Sequence, residues 1–342
     1  MPDMLAHYDV AEAARARLAP GPLARLLAEA PDAYAVGAQG PDFFFYAQLW
    51  PDGRGRNDLA HLLHHRRMDA AFARMLEVAA AAPPADRATL YAYVCGYASH
   101  LCLDSRAHPW VLYWTGDISQ GVTTPAQALA MRRHGLLEAS IDVALAAHHR
   151  PAGFSWTRSV RLLSMLPARR RAVSALWEQV LRDVHGVEFA AADTSSALLS
   201  MAGVYGLMTD RRSPLSLLLR VGGAKLDPDG IARTQVYPAA PHPAAMELLT
   251  SRCEWRSPWR PGEPRREALG EIFDQAAGET LVCLQAIQAA ATGDGGVEDV
   301  LAAVADRDML SGERCDDPRP AVAFCSEQDA IWGDADAIWG AA

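Results

Sequence analysis

Several common sequence features are missing from this chain of 342 residues, and each absence narrows its class. No run approaches the roughly 18 apolar residues of a membrane-spanning helix, so a transmembrane segment is not expected. The first ten residues, MPDMLAHYDV, have neither a basic start nor an apolar stretch, and therefore do not resemble a secretory signal. We expect a cytoplasmic protein, and an extracellular one only if a leader precedes this sequence.

Cysteine is scarce, and no two cysteines have CxxC spacing. The six residues are spread through a chain that is long enough to build a core without cross-links. We therefore predict reduced thiols rather than a disulfide framework or a cysteine-based zinc site. These cysteines are Cys95, Cys102, Cys253, Cys283, Cys315 and Cys325.

The chain also lacks an excess of positive charge. Its formal net charge is −9 and its isoelectric point is about 5.6, so a nucleic-acid partner would require a locally basic groove. The run Arg169 to Arg171 is typical of a solvated face, although peripheral contact with an anionic membrane also fits it. The charge balance makes nucleic acid the less favoured partner.

Alternating strand-like patterns are rare, whereas apolar residues recur at spacings of three and four over long windows. Half of the residues (50%) are hydrophobic, which is sufficient for a large core. These patterns predict an all-α protein in which Pro109 ends one helix at His108. The predicted helices cover residues 22–30, 58–82, 86–108, 124–149, 167–185, 194–208, 214–219 and 264–291.

No linker with a sustained Gly, Ser or Pro bias precedes residue 310. We therefore predict a single helical domain over residues 1–310 and an acidic, loop-like tail over 311–342. The tail contains the sequence DAIWG twice, at 329–333 and 336–340, which is too few copies for a repeat array. Trp332 and Trp339 are expected to anchor a docked tail.

Two imidazoles and a carboxylate recur at a spacing of four within GYASHLCLDSRAHPWV, residues 96–111. On an α-helix, His100, Asp104 and His108 would lie on one slowly drifting stripe. The two histidines would be about 12 Å apart along the axis, too far to bind one ion, with Asp104 between them. The spacing therefore suggests more than one metal ion.

The next predicted helix carries a second stripe of the same kind. His134 and Glu138 lie four residues apart in RRHGLLEASID, and Asp142 follows one turn later. Imidazole and carboxylate groups at this spacing suit a divalent ion such as zinc. Either pair alone is more often a core or surface contact, but two consecutive stripes favour a metal centre.

Further candidates lie nearer to the amino terminus. Asp42 follows Gly37, Gly40 and Pro41 in GAQGPDFFFY, which places it at a tight turn where it could also serve only as a helix cap. The segment HLLHHRR offers His61, His64 and His65, of which at least one could reach the site, and His7 is a weaker candidate.

The quoted segments together resemble the prokaryotic zinc-dependent phospholipase C family. GAQGPDFFFY, GYASHLCLDSRAHPW, HGLLEASID and the later WRSPWRPGEPRREALGEIFDQA carry the likeness, which extends from His7 to about Ala291. The resemblance implies a single multi-helix domain of the type that these enzymes share with single-strand nucleases.

The resemblance also implies a ligand set of two zinc ions with a possible third. His100, Asp104 and one histidine of the 61–65 cluster, with His64 preferred, would bind the first ion. His108, His134 and Glu138 would bind the second ion. Asp104, His7 and the amino terminus would bind the third.

By the same resemblance, the reaction is hydrolysis of a phospholipid or a smaller phosphodiester. Asp42 would act as the general base, and Asp142 would hold a ligand imidazole. Three residues separate Asp104 from His108, whereas the secreted members have five, and this shorter spacing fits a less characterised, cytoplasmic-looking branch.

Other functions remain open. A single-strand nuclease shares the architecture, and a non-catalytic metal-binding protein could retain the same ligands. A di-iron oxidase would have more carboxylates and Glu-x-x-His pairs, and the absence of His-Glu-x-x-His excludes a zincin. The aromatic run Phe43 to Tyr46 could line a substrate entrance, although such a run is more often core.

Overall fold

The computed structural model describes residues 4–47, 57–119, 121–149, 160–209, 214–222, 225–317 and 319–333. In these ranges helices dominate and the two strands form one short antiparallel hairpin, so the prediction of a mainly helical protein is confirmed. None of the described helices is both long and apolar enough to cross a membrane.

The elements follow one another in chain order, and a short 3-10 helix (Asp42–Tyr46) lies between α3 and α4. They are α1 (Met4–Arg17), α2 (Pro22–Glu29), α3 (Pro31–Gly37), α4 (Asn57–His65), α5 (Met68–Ala81), α6 (Pro84–Thr115), α7 (Pro125–His149), α8 (Pro167–Val180), α9 (Ala191–Met208), α10 (Pro214–Gly222), α11 (Ile231–Thr234), α12 (Pro243–Thr250), β1 (Cys253–Ser257), β2 (Arg260–Glu267), α13 (Leu269–Thr292), α14 (Val297–Val304) and α15 (Gln328–Trp332).

Helix α6 forms the centre of the fold. Its side chains are buried almost continuously from Thr89 onwards, and α1, α3, α5, α7, α8 and α13 all pack against it. The contact with α3 is especially close, because a Cβ at Gly37 would lie 2.3 Å from the carbonyl oxygen of Tyr93. Gly96 meets the carbonyl of Tyr34 in the same way, at 2.2 Å. These glycines allow α3, and the turn that follows it, to lie directly on the helix that carries the central His-Asp-His stripe.

The prediction that Pro109 ends a helix at His108 was wrong. Helix α6 continues to Thr115 with Pro109 inside it, although an internal proline costs about 3 kcal/mol. Burial of the following turn offsets this cost: Trp110 is fully buried, and Trp114 is 7% exposed. The same helix also begins earlier than predicted, at Pro84, so Asp86 lies in its first turn rather than at its cap.

Two other predicted helices are divided differently. Residues 58–82 form α4 and α5, which are separated at Arg67 by a left-handed backbone conformation (φ 60°). Residues 264–267 belong to β2, and the helix predicted over 264–291 begins only at Leu269. Pro261 and Pro264 disfavour a helix there, while the edge of a two-stranded hairpin tolerates them.

The predicted tail is docked through one tryptophan. Trp332 is 1% exposed, and its indole N–H donates to the carbonyl oxygen of Trp114 at 2.8 Å. Its short helix, α15, was not predicted, and Trp339 lies outside the described residues. The first expected anchor is therefore part of the core.

The arginine run of α8 is partly used within the protein. Arg169 pairs with Asp32 and donates to the carbonyl of Glu29, and Arg170 donates to the hydroxyl of Ser195. These intramolecular bonds leave less of the run available to an external partner than the sequence alone suggested.

Candidate metal centre

Five separate elements bring the predicted ligands and the predicted base together in the interior. The 3-10 helix supplies Asp42, α1 and α4 supply one histidine each, and α6 and α7 supply the two stripes. None of these eight residues is more than 8% exposed to solvent. The residues are His7, Asp42, His64, His100, Asp104, His108, His134 and Glu138.

Their nitrogen and oxygen atoms form three groups in which the potential ligand atoms lie within 4.8 Å of one another. One group contains His64, His100 and Asp104, and a second contains His108, His134 and Glu138. These are the two sets that the sequence analysis assigned to separate ions. Spacing along α6 therefore had the predicted effect, with one group near His100 and another near His108.

The third group differs from the prediction. It contains His7, Asp42 and His100, so the carboxylate expected to act as a base lies among potential ligands. The rings of His7 and His100 are stacked with centroids 4.4 Å apart. Met1, the residue of the predicted amino-terminal ligand, lies outside the described residues.

Asp104 lies between the groups. One carboxylate oxygen is 3.3 Å from Nε2 of His7, and the other is 3.1 Å from Nε2 of His100 and 3.6 Å from Nδ1 of His108. A single carboxylate thus approaches three imidazoles from different positions. This arrangement is suited to a bridging ligand or to a shared counter-ion.

Backbone carbonyls fix the orientation of two ligand rings. Nδ1 of His64 lies 2.7 Å from the carbonyl oxygen of Ala60, and Nδ1 of His108 lies 2.9 Å from that of Met309. A carbonyl oxygen only accepts hydrogen bonds, so Nδ1 is the protonated nitrogen in both rings. In each ring Nε2 is then directed at a carboxylate, Asp42 at 2.9 Å and Glu138 at 3.9 Å.

This geometry leaves polar atoms that only a cation or a proton can satisfy. With Nδ1 protonated, Nε2 of His64 faces a carboxylate oxygen, and both are acceptors unless the ring is charged. Both nitrogens of His7, both of His100 and Nδ1 of His134 are buried without a hydrogen bond of suitable geometry. Buried polar atoms are almost always satisfied, so this concentration of unsatisfied imidazole nitrogens fits a metal centre.

The carboxylates of the centre are held in their charged form. Burial raises the pKa of Asp104, but the nearby imidazoles of His100 and His108 outweigh it and hold the pKa well below its ordinary value. Burial likewise raises the pKa of Asp42 and Glu138, while their histidine neighbours lower it below the ordinary value. Ionised carboxylates are the form that binds a metal ion.

Burial has the opposite effect on His108, whose pKa lies below its ordinary value. Asp104 and Glu138 raise this pKa, but they do not compensate for the loss of water around the ring. A neutral ring with Nδ1 protonated has a lone pair at Nε2, as a metal ligand requires. The carboxylates of the centre are thus ionised and the ring of His108 is neutral, which are the forms that bind a metal ion.

Asp142 does not have the role expected for it. Its carboxylate accepts hydrogen bonds from the backbone N–H groups of Leu5 and Ala6 at 3.0–3.1 Å and from the hydroxyl of Tyr237 at 2.8 Å. It therefore caps the first turn of α1, the helix that carries His7, and its bonds are to backbone N–H groups and a tyrosine hydroxyl rather than to a ligand ring. Burial raises the pKa of this carboxyl to about 7 despite these bonds.

The remaining histidines of the 61–65 cluster lie beside the donor groups. His61 is exposed, and His65 bonds to Asp308 with 2.6 Å between Nδ1 and the carboxylate oxygen. Among the three, His64 is the residue that joins a donor group. The burial of His64 follows from its position facing α6, which the local sequence alone does not specify.

Sequence reasoning missed the backbone of Met309. This residue lies about two hundred positions from the ring that it orients, and no side-chain motif marks a carbonyl group. It follows α14, and its N–H donates to the carbonyl of His64 at 2.9 Å. Met309 thus contacts a residue of each of the two main donor groups.

A small pocket leads to the second group. Its polar wall contains Asp104, His108 and Glu138, and its volume of about 20 Å³ is enough for roughly one water molecule. The remaining wall is apolar and comes from α1, α6, α7 and α13: Ala6, Leu103, Ala107, Val111, Ile141, Leu269 and Phe273. The pocket therefore places a hydrocarbon surface next to potential metal ligands.

Most of the aromatic run after Asp42 is core rather than an entrance. Phe43 and Phe44 are fully buried and meet Trp177 edge to face, with ring centroids 6.0 and 5.2 Å away. Phe45 is half-buried and lies against the rings of His61 and His64. The run anchors the Asp42 turn above α6.

Comparison with known proteins does not assign the chain to a family. No family model matches it, and no match is found among the curated proteins or the solved structures. Three groups of imidazole nitrogen and carboxylate oxygen donors among the described residues could each hold a metal ion.

Proposed function

We propose that this protein is a zinc-dependent phosphoester hydrolase of the phospholipase C type. The observation that supports the proposal most directly is the convergence of His64, His100 and Asp104 with His108, His134 and Glu138 around one buried centre. Two adjacent donor groups are a recurrent arrangement for phosphoester hydrolysis, because two cations can stabilise both the attacking and the leaving oxygen.

The residues of the centre would have separate roles in binding metal and in activating water. His64, His100 and Asp104 would hold one zinc ion, and His108, His134 and Glu138 would hold another. Zinc bound there would act as a Lewis acid toward the phosphoester and lower the pKa of a water molecule. Asp42, whose carboxylate lies 2.9 Å from the Nε2 atom of His64 that would bind zinc, would orient that water and accept its proton.

The lining of the pocket favours a substrate that combines a phosphate with an apolar group, and the pocket, which has room for about one water molecule, would have to widen to admit it. Leu269 and Phe273 place hydrocarbon beside His108 and Glu138, the polar end of the same pocket. A phospholipid, or a small phosphodiester with an apolar substituent, has this combination. The net charge of −9 disfavours a polyanionic substrate such as a nucleic acid.

The test combines metal analysis with turnover. Purified protein should contain two or more zinc ions per chain and should hydrolyse a chromogenic phosphorylcholine diester. A chelator should abolish turnover, and added zinc should restore it. Fully folded protein that takes up no zinc would contradict the proposal, and cleavage of single-stranded oligonucleotides in place of the diester would favour the nuclease alternative.

A substitution of the proposed base separates catalysis from metal binding. Asp42→Asn should retain zinc and lose about 10²- to 10⁴-fold in kcat, the usual contribution of a general base. Asp274→Asn, which changes an exposed carboxylate on α13, should have wild-type turnover. Loss of zinc from Asp42→Asn would instead identify Asp42 as a ligand, and unchanged turnover with zinc bound would show that it is not the base.

A further inference from the structure

The loop over residues 306–315 is bonded to both main donor groups through one residue. The N–H of Met309 donates to the carbonyl of His64, and its carbonyl accepts from Nδ1 of His108, both at 2.9 Å. Met309 is itself fully buried. A displacement of this residue would therefore disturb the end of α4 and the ring orientation of a ligand on α6 together.

Asp308 determines the shape of this loop. One of its carboxylate oxygens accepts from the N–H groups of Leu310 and Ser311 and from the Ser311 hydroxyl, at 2.7–2.9 Å. The other oxygen bonds to Nδ1 of His65 at 2.6 Å. The backbone is closed as well, since the N–H of Asp308 donates to the carbonyl of Glu313 at 2.8 Å. A single carboxylate thus ties the turn to the end of α4.

The loop also rests on the part of α6 that proline modifies. Pro109 has no N–H, so the carbonyl of Ser105 lacks its usual partner in the helix. Gly312, with φ of +70°, lies against this carbonyl, and a Cβ there would be 2.2 Å from its oxygen. Only glycine fits this position, so the loop packs directly on the backbone of α6 at Ser105, about one turn before His108.

We propose that loop 306–315 is a positioning element that orients the His108 ring of the second donor group, and that Asp308 is the residue that shapes it; the ring of His64 is oriented separately, by the carbonyl of Ala60. The inference rests on the proposed zinc chemistry, because it concerns the residues that would hold zinc. Asp308 acts through Met309 and touches none of the proposed ligands directly. Partners that orient ligand histidines typically contribute about 10- to 100-fold to metal affinity.

The test is a zinc titration of Asp308→Ala against a chromogenic chelator. Affinity for the ion bound by the His108 group should fall by about 10- to 100-fold. Asp299→Ala is the matched control, because Asp299 accepts from a backbone N–H at the start of α14 but does not contact the loop. This variant should bind zinc like the wild type, even if its stability is lower.

A double variant distinguishes positioning from general destabilisation. His134→Ala removes a ligand of the second group, so adding Asp308→Ala to it should change the affinity for the remaining ion by less than about tenfold. An equal loss at both ions would indicate a merely structural effect and would contradict the proposal. Unchanged affinity at both ions would contradict it as well.

A measurement without metal keeps this inference separate from the proposed function. In chelated protein, ring nitrogen NMR should show His108 protonated at Nδ1, with the signal assigned by its loss in His108→Gln. Asp308→Ala should shift the ring toward a mixture of tautomers. If the wild type binds no zinc but Asp308→Ala still shifts the His108 tautomer, only the proposed function is overturned. If Asp308→Ala leaves the tautomer unchanged, only the positioning role is overturned.

Discussion

Gly40 lies directly against the ring of His100. A Cβ added at Gly40 would be 2.1 Å from Cδ2 of the imidazole, and the residue has a left-handed backbone with φ of +54°. The turn before Asp42 therefore approaches the ligand helix more closely than any side chain would permit.

Gly40→Ala should displace His100 and weaken zinc binding at both groups that contain it. Steric conflict and backbone strain together should lower the free energy of unfolding by about 2–4 kcal/mol. Zinc content and denaturant unfolding measure the two effects. Gly278→Ala, in an open position within α13, should leave zinc binding unchanged and should stabilise the protein by up to about 1 kcal/mol. Normal zinc content in Gly40→Ala would show that the ring adapts.

Removal of single ligands should deplete the centre selectively. His134→Ala should lose one zinc ion and retain the other, whereas His64→Ala should have the reverse effect. His100→Ala should cause a greater loss than His64→Ala, because His100 belongs to two donor groups. Metal content after dialysis against a weak chelator provides the measurement. A wild-type zinc content in any of these variants would remove that residue from the ligand set.

His108 and three carboxylates of the centre should contribute to a loss of stability of the metal-free protein in acid, in two steps. The pKa of His108 is lowered in the folded chain, so its contribution to stability should begin to fall as the pH drops below about 6.5. The pKa values of Asp42, Asp104 and Glu138 are lowered as well, so a second loss should follow below about pH 4.5. In each case the unfolded chain binds the proton more readily than the folded one.

Denaturant titrations of chelated protein between pH 7 and pH 3 measure this dependence. Asp104→Asn should flatten the lower step, because Asp104 has the carboxyl whose pKa is held well below its ordinary value. Because the raised pKa of Asp142 contributes in the opposite direction between about pH 7 and pH 4, the titrations are made in an Asp142→Asn background, where a free energy of unfolding that rises on acidification would contradict these directions.

Phe273→Ala should affect substrates with apolar groups more than a short diester. The ring forms part of the apolar wall next to His108 and Glu138, and it has no atom that could bind the metal. We expect kcat/KM for a long-chain phospholipid to fall by about tenfold, since a lost apolar contact in a pocket usually changes discrimination by about 1–3 kcal/mol. Val282→Ala, exposed on the same helix, is the control. Equal effects on both substrates would show that the pocket does not contact the apolar group.

Trp332→Ala should destabilise the whole domain. Its side chain is 1% exposed and donates a hydrogen bond to Trp114, so its loss should cost about 3–5 kcal/mol of unfolding free energy. Val322→Ala, exposed in the same tail, should change this value by less than about 0.5 kcal/mol. A single transition at wild-type stability in Trp332→Ala would show that the tail is not part of the cooperative unit.

The sequence indicated the donor residues more reliably than the elements that carry them. Helical spacing alone places His100 and His108 on one stripe but at separate positions, and the structure has them in separate groups. Local propensity failed at Pro109, where tertiary burial of Trp110 outweighs the proline penalty. A single sequence has no signal for that compensation.

The parts of the centre that could not be predicted depend on backbone groups and on long-range packing. Asp142 has the spacing of a ligand-helix carboxylate, yet it faces the start of α1, because buried N–H groups of that turn require an acceptor. Met309 contributes only its peptide groups, so its side chain carries no information about its position. Such contacts become visible only when the helices are placed in three dimensions.

The distance along the chain between His7 and Met309 has a consequence for biosynthesis. His7 leaves the ribosome about three hundred residues before the peptide groups that orient His108. Zinc supplied before Met309 emerges would encounter an incomplete set of oriented donors. Metal incorporation should therefore follow the synthesis of the loop over residues 306–315, and nascent chains arrested before Met309 should capture the ion poorly.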